Sequence, residues 1–142
     1  MENKSLAPIK FFCGLICVYH VVEGLIATIS GEMAAKVAAF GYGLSLDRLT
    51  PVTPQLIVLF RFIGAFAITF GVLMGFAAVN PVKNKAIIYG GIVFFAVRAF
   101  DRIVFANVLR DAFDVSSGRN LISLVFVLIM LIGLLMFKPK EA

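Results

Sequence analysis

The stretch Arg98-Ala99-Phe100-Asp101-Arg102 places three charges inside a hydrophobic run that extends from Ala86 to Val108. A charged side chain near the middle of a bilayer costs about 2.5–3.5 kcal/mol on insertion scales. If this run crosses a membrane, its charges need oppositely charged partners, water or a route to the lipid head groups. The rest of the chain should supply them.

The composition is that of a membrane protein. Of the 142 residues, 61% are hydrophobic and 15% are charged, and a soluble domain of this size cannot bury that much apolar surface. The net charge is +5, but the basic residues are scattered along the chain. We therefore expect no nucleic-acid partner. Two cysteines and one histidine exclude a disulfide scaffold and a metal site with several histidines.

Four hydrophobic stretches predict an all-α, four-span transmembrane bundle that forms a single domain over residues 1–142. Each has close to the roughly 20 residues that a bilayer requires. The predicted spans cover about residues 11–30, 55–79, 86–108 and 120–137. In the first long connection, residues 31–40 contain good helix formers and an apolar face, which predicts a short interfacial helix.

The distribution of basic residues predicts that both termini lie in the cytoplasm. Four spans place the termini on the same side as the polar turn at residues 80–85, and that side carries six lysines. The other side carries four basic residues, which four acidic residues offset. By the positive-inside rule, the lysine-rich side is cytoplasmic and the interfacial helix is extracytoplasmic.

Antiparallel spans bring charges from three helices to a similar depth. At 1.5 Å per residue, Glu23 lies about 18 Å and Arg98 about 20 Å from the cytoplasmic end. Asp101 and Arg102 follow at about 24–26 Å, and Arg61 at about 30 Å. We therefore predict a charge cluster in the outer half of the bilayer. It can be a closed ion-pair network, a pocket for a quinone, lipid or small anion, or a contact with a partner subunit.

Gly64, Gly71 and Gly75 fall close to one stripe of the second span. Small residues at this spacing allow close approach of a second helix, which predicts tight packing. The alternative is that glycine is simply common in membrane helices.

Cys13, Cys17 and His20 share a stripe of the first span, and Glu23 lies about 60° further round. A helical ladder of this kind can bind a metal only when a second helix completes the ligand shell. Since the chain has no other cysteine or histidine, we predict packed thiols and a hydrogen-bonded imidazole instead of a metal site. His20 and Glu23 could alternatively form a proton relay.

Several short motifs resemble the BphX-like / DUF4345 group of small four-helix bacterial membrane proteins, which is similar in layout to the DoxX-like set. The motifs are Arg61-Phe62-Ile63-Gly64, Gly71, Asn80-Pro81, the pair Arg98 and Arg102, and Arg119-Asn120-Leu121. The resemblance implies a four-helix fold in the bacterial inner membrane and an accessory role to catabolic or redox systems. It supplies no catalytic residues.

The sequence favours a non-catalytic accessory or structural subunit of a larger inner-membrane complex or self-assembly. We assign no catalytic residue, and enzymatic activity stays open. No cofactor is predicted, although a quinone or a lipid is compatible with the charge cluster. The expected partners are the lipid bilayer and either other membrane subunits or copies of the chain. Proton or ion transport ranks lower, because no internal repeat or paired broken helix is present.

Overall fold

The computed structural model describes residues 6–139, apart from the side chain of Tyr42. All regular structure in this range is helical, as predicted. The helices are α1 (Ala7–Ile29), α2 (Gly31–Tyr42), α3 (Leu46–Leu49), α4 (Pro54–Val79), α5 (Lys85–Val104), α6 (Ala106–Phe113) and α7 (Ser117–Phe137). Lys4 and Lys140, which entered the topology prediction, lie outside the described residues.

Three helices, α1, α4 and α7, are long and apolar enough to cross a membrane. The protein is therefore a membrane protein. Helix α5 is of similar length, with 20 residues, but Arg98, Asp101 and Arg102 lie in its last two turns. A fourth span stays a prediction.

The long helices pack as an antiparallel bundle. Helix α1 packs mainly on α4, and α5 packs mainly on α7, while contacts of α1 with α7 and of α4 with α5 close the bundle. The main core lies toward the end that carries the turn between α4 and α5. Its fully buried members are Ile9, Cys13, Met74, Ala77 and Leu134.

Glycines set the close approach of α1 and α4. A Cβ atom on Gly64 would lie 2.8 Å from the carbonyl oxygen of Gly24, and one on Gly71 would lie 3.0 Å from that of Cys17. A Cβ atom on Gly75 would lie 3.1 Å from the sulfur of Cys17. Real Cβ atoms rarely approach other atoms so closely. The glycine stripe of α4 therefore lies directly against the backbone of α1.

The opposite end of the bundle is covered by α2 and α3. The Ser30 side chain accepts a hydrogen bond from the Met33 amide and begins α2, and Gly43 ends it in the left-handed conformation, with φ of 73°. Residues Ala34 and Ala38 pack α2 onto the bundle. The predicted helix at 31–40 thus exists and extends to Tyr42. Its location at a membrane surface stays a prediction.

The third predicted span needs a correction. Helix α5 ends at Val104, and a separate helix, α6, begins at Ala106, so no single helix reaches residue 108. The apolar residues around Phe105 made the sequence look like one continuous span, although the polar residues that follow have the spacing of a separate helix. Asn107, Arg110 and Asp111 follow i, i+3, i+4 spacing and give α6 a polar face, which suits a surface helix better than a span.

The turn between α4 and α5 is held by two asparagines. The Asn80 side chain accepts from the Lys83 amide at 3.1 Å. The Asn84 side-chain amide donates to the carbonyl oxygens of Phe76 at 2.9 Å and Asn80 at 3.0 Å. These bonds satisfy the carboxyl end of α4 and start α5 in the opposite direction.

Candidate ligand-binding site

His20 lies at the centre of the bundle and is 3% exposed. Its Nδ1 lies 2.9 Å from the carbonyl oxygen of Ile16. A carbonyl oxygen only accepts, so Nδ1 carries the proton and donates it, which leaves Nε2 of the neutral ring as an acceptor. Nε2 is buried and has no hydrogen-bond partner among the residues that the structure describes.

Aromatic rings hold the imidazole in place. The centroids of Tyr19 and Phe70 lie 5.0 Å and 4.9 Å from the His20 centroid, both in edge arrangements. Phe94 and Phe95 follow at 5.7 Å and 6.2 Å. Four rings from α1, α4 and α5 therefore fix the orientation of His20.

The His20 ring forms part of the wall of a cavity of about 330 Å³ between α1, α5 and α7, here named the His20 cavity. Residues Phe40 and Gly41 of α2 cover one side of it. Its polar side chains are Tyr19, His20, Arg98 and Ser123, and its other walls are Phe95, Ile122, Phe126 and Val127.

The polar groups of the His20 cavity differ in hydrogen-bonding character and in charge. Within residues 6–139, neither the Tyr19 hydroxyl nor the Ser123 hydroxyl makes a hydrogen bond. Arg98 is half-buried, and its guanidinium carbon lies 5.7 Å from the Phe94 centroid. The lining of the cavity thus contains two hydroxyls, one imidazole and one cation together with aromatic rings.

The members of the predicted charge cluster line several different spaces. Glu23 is buried and lines a second cavity of about 330 Å³, between α1, α2 and α4, that is otherwise almost wholly apolar. Arg98 lines the His20 cavity and also a groove of about 400 Å³ that Asp101 and Arg102 share. His20 and Glu23, the predicted proton relay, therefore line different cavities, although both belong to α1.

Tyr19 lies near three members of that cluster. Glu23, Arg98 and Arg102 all lie within electrostatic reach of its hydroxyl. Arg61 is exposed on α4, and its side chain makes no hydrogen bond or ion pair with any part of the chain that the structure describes. Asp101 is also exposed.

Arg102 is 6% exposed and is held by Asn120 of α7. Its Nη1 donates to Asn120 Oδ1 at 3.3 Å, and Asn120 Nδ2 donates to the Arg102 carbonyl oxygen at 3.0 Å. The most deeply buried arginine of the predicted cluster thus joins two helices.

The two thiols are packing groups in this fold. Cys13 is fully buried in the main core, and the Cys17 sulfur faces Gly75 of α4. Over the described range, no three histidine, cysteine, aspartate or glutamate side chains come together as a metal site.

Sequence reasoning missed Tyr19, Phe40, Ser123 and Asn120. One signal was available: Ser123 is the lone hydroxyl in the apolar run from Leu121 to Phe137. A hydroxyl that interrupts such a run commonly faces another helix or a polar space. No comparable signal identified Phe40, because its role depends on how α2 folds over the bundle.

Comparisons with protein-family models, curated proteins and solved structures found no match.

Proposed function

We propose that the protein is a membrane-embedded binding protein that holds the head group of a small amphiphilic ligand in the His20 cavity. The observation that carries this proposal is the buried Nε2 of His20, an acceptor without a partner among the described residues. A buried polar atom of this kind costs about 1–3 kcal/mol. A ligand that donates a hydrogen bond to Nε2 removes that penalty.

The side chains of the cavity define the ligand chemistry. Nε2 requires a donor on the ligand, and Arg98 adds a positive charge to the same lining. Phe95 and Phe126 favour a flat ring between them. A quinol or phenol meets these requirements, while a fully oxidised quinone offers acceptors only. The volume of about 330 Å³ lies at the lower end of the range for ligand pockets, about 300–1,000 Å³, so it suits a head group whose tail extends into lipid.

Helix α5 crosses the membrane as a fourth span. Its 20 residues reach about 30 Å, the thickness of a hydrocarbon core. Both termini then lie on the cytoplasmic side of an inner membrane, and α2 lies on the far surface as an interfacial helix. This arrangement also fits the resemblance to the BphX-like / DUF4345 group.

Co-purification tests the proposal directly. The protein is purified in mild detergent, and bound small molecules are extracted and identified by mass spectrometry. Ser123→Leu places a larger, apolar side chain in the wall of the His20 cavity, whereas Thr69→Leu replaces an exposed hydroxyl of α4. We expect one small molecule other than a phospholipid to accompany the wild type and Thr69→Leu at near-equal ratio to protein, and to be lost from Ser123→Leu.

Retention of the same small molecule by Ser123→Leu would contradict the proposal. The prediction that the protein is an accessory subunit is separate from the ligand-binding proposal, and the same purification tests it. A larger membrane protein that accompanies the chain at fixed stoichiometry, with no small molecule extracted, favours the subunit function over ligand binding.

A further inference from the structure

A second site lies on the outside of the bundle, between α2 and α7. A groove of about 630 Å³ is lined there by ten residues, and we name it the Lys36 groove. Its charged residues are Lys36 and Arg119, and none of the acidic side chains that the structure describes lines it. The groove lies at the end of the bundle opposite the turn between α4 and α5.

The two cations are unneutralised within the described chain. Neither the Lys36 nor the Arg119 side chain makes an ion pair there. The stem of Arg119 is positioned by close contact with the backbone at Gly43, where a Cβ atom would lie 3.1 Å from Arg119 Cβ. Ser45 adds a hydroxyl to the same wall. Two cations and a hydroxyl around one space are complementary to a phosphate.

The apolar wall of the Lys36 groove indicates which kind of phosphate-bearing molecule fits the groove. Phe40 is 94% exposed and Ile122 is 72% exposed, and both line the groove. In a membrane protein, such side chains contact acyl chains, and basic residues beside them lie at the level of the head groups. A free phosphate ion would use the cations alone, whereas a phospholipid would use both parts of the groove.

We propose that the Lys36 groove binds the head group of an anionic phospholipid, with its phosphate between Lys36 and Arg119 and its acyl chains along Phe40 and Ile122. Phe40, Ile122 and Ser123 also line the His20 cavity. The bound lipid therefore lies beside that cavity and covers Phe40. Binding of the lipid does not require a ligand in the His20 cavity.

The test uses phosphatidylglycerol and phosphatidylcholine, two phospholipids that differ in net charge. Each is added to the full chain in dodecyl maltoside, and native mass spectrometry counts the bound lipids. The test variant is Lys36→Gln with Arg119→Gln. The matched control is Arg48→Gln with Arg110→Gln, which removes the same charge from exposed positions at the same end of the bundle. Thermal melts confirm that both variants fold.

We expect the wild type and the control to prefer phosphatidylglycerol. One basic side chain at an anionic surface contributes roughly fivefold in affinity, so the test variant should bind phosphatidylglycerol about 25-fold more weakly. Equal binding of the two lipids by the wild type, or an unchanged preference in the test variant, would overturn the proposal. It would also be overturned if millimolar inorganic phosphate displaced all the bound phosphatidylglycerol, because the acyl chains would then contribute nothing.

Discussion

Asn120 holds Arg102 by two hydrogen bonds that run in opposite directions between α7 and α5. Asn120 Oδ1 accepts from the guanidinium, and Asn120 Nδ2 donates to the Arg102 main-chain carbonyl. The Arg102 side chain lies where water is scarce, since it is 6% exposed. The pair fixes the register of α5 on α7 and gives a charged residue in an apolar helix a polar neighbour.

Removal of Asn120 should destabilise the bundle. Asn120→Ala removes both hydrogen bonds, and we expect a loss of about 1.5–3 kcal/mol, the usual value for hydrogen bonds to a buried charged group. Asn107→Ala is the matched control, because Asn107 is exposed on α6. The measurement is unfolding in mixed micelles of mild detergent and dodecyl sulfate. Equal stability of the two variants would show that the pair contributes nothing to helix register.

The charged cluster should divide into residues that support the fold and residues that do not. Arg102→Gln is expected to lower the unfolding free energy by at least about 2 kcal/mol, because it removes a buried guanidinium and its bond to Asn120. Arg61→Gln should change it by less than about 0.5 kcal/mol, since Arg61 is exposed. If Arg61→Gln is the more damaging variant, Arg61 supports the fold as a member of the predicted five-residue cluster, which would contradict this prediction.

The glycine contact between α1 and α4 predicts opposite effects for two identical substitutions. Gly71→Ala places a methyl group against the Cys17 and Val21 backbone, and overpacking of this kind costs about 1–3 kcal/mol. Gly90→Ala meets nothing within 4 Å and should leave stability unchanged or raise it by less than about 1 kcal/mol. Thermal melts of both variants in one detergent compare them directly. A stable Gly71→Ala variant would mean that the helices are less closely packed than the structure has them.

The apolar runs predicted most of the fold because a membrane helix needs little more than length and hydrophobicity. Helices α1, α4 and α7 begin and end close to their predicted limits. The break after Val104 was missed because Phe105, Ala106 and Val108 continue the apolar run. Only the helical register of the polar residues that follow separates α6 from α5.

The candidate site was only partly predictable, for a physical reason. His20 and Arg98 can be identified from the sequence as candidate site residues, because they are ionisable groups in apolar helices. The direction in which each faces depends on helix rotation, which composition does not specify. Glu23 shares α1 with His20, yet it lines a different cavity. Gly24 contacts Gly64 of the neighbouring helix, and it has no side chain from which this contact could be predicted.

The four-span topology predicts opposite labelling at two polar connections. Asp47→Cys in α3 and Val82→Cys in the turn after α4 place thiols at exposed positions on opposite ends of the bundle. In intact cells, a membrane-impermeant maleimide should label Asp47→Cys, and it should label Val82→Cys only after permeabilisation. The parent protein controls for Cys13 and Cys17. Labelling of both positions in intact cells would contradict the topology.

The central claim is most directly tested at His20, which is the one histidine of the chain. The protein is labelled with ¹⁵N-histidine, purified through a tag without histidine, and its imidazole nitrogens are observed by NMR in micelles. We expect Nδ1 to be protonated and Nε2 to be unprotonated, with the Nε2 resonance shifting when a short-tailed hydroquinone is added. The Ser123→Leu variant should show the same tautomer without the shift. A proton on Nε2 in the wild type, or an Nε2 resonance that the hydroquinone leaves unmoved, would contradict the assignment of the His20 cavity as a site for a hydrogen-bond-donating head group.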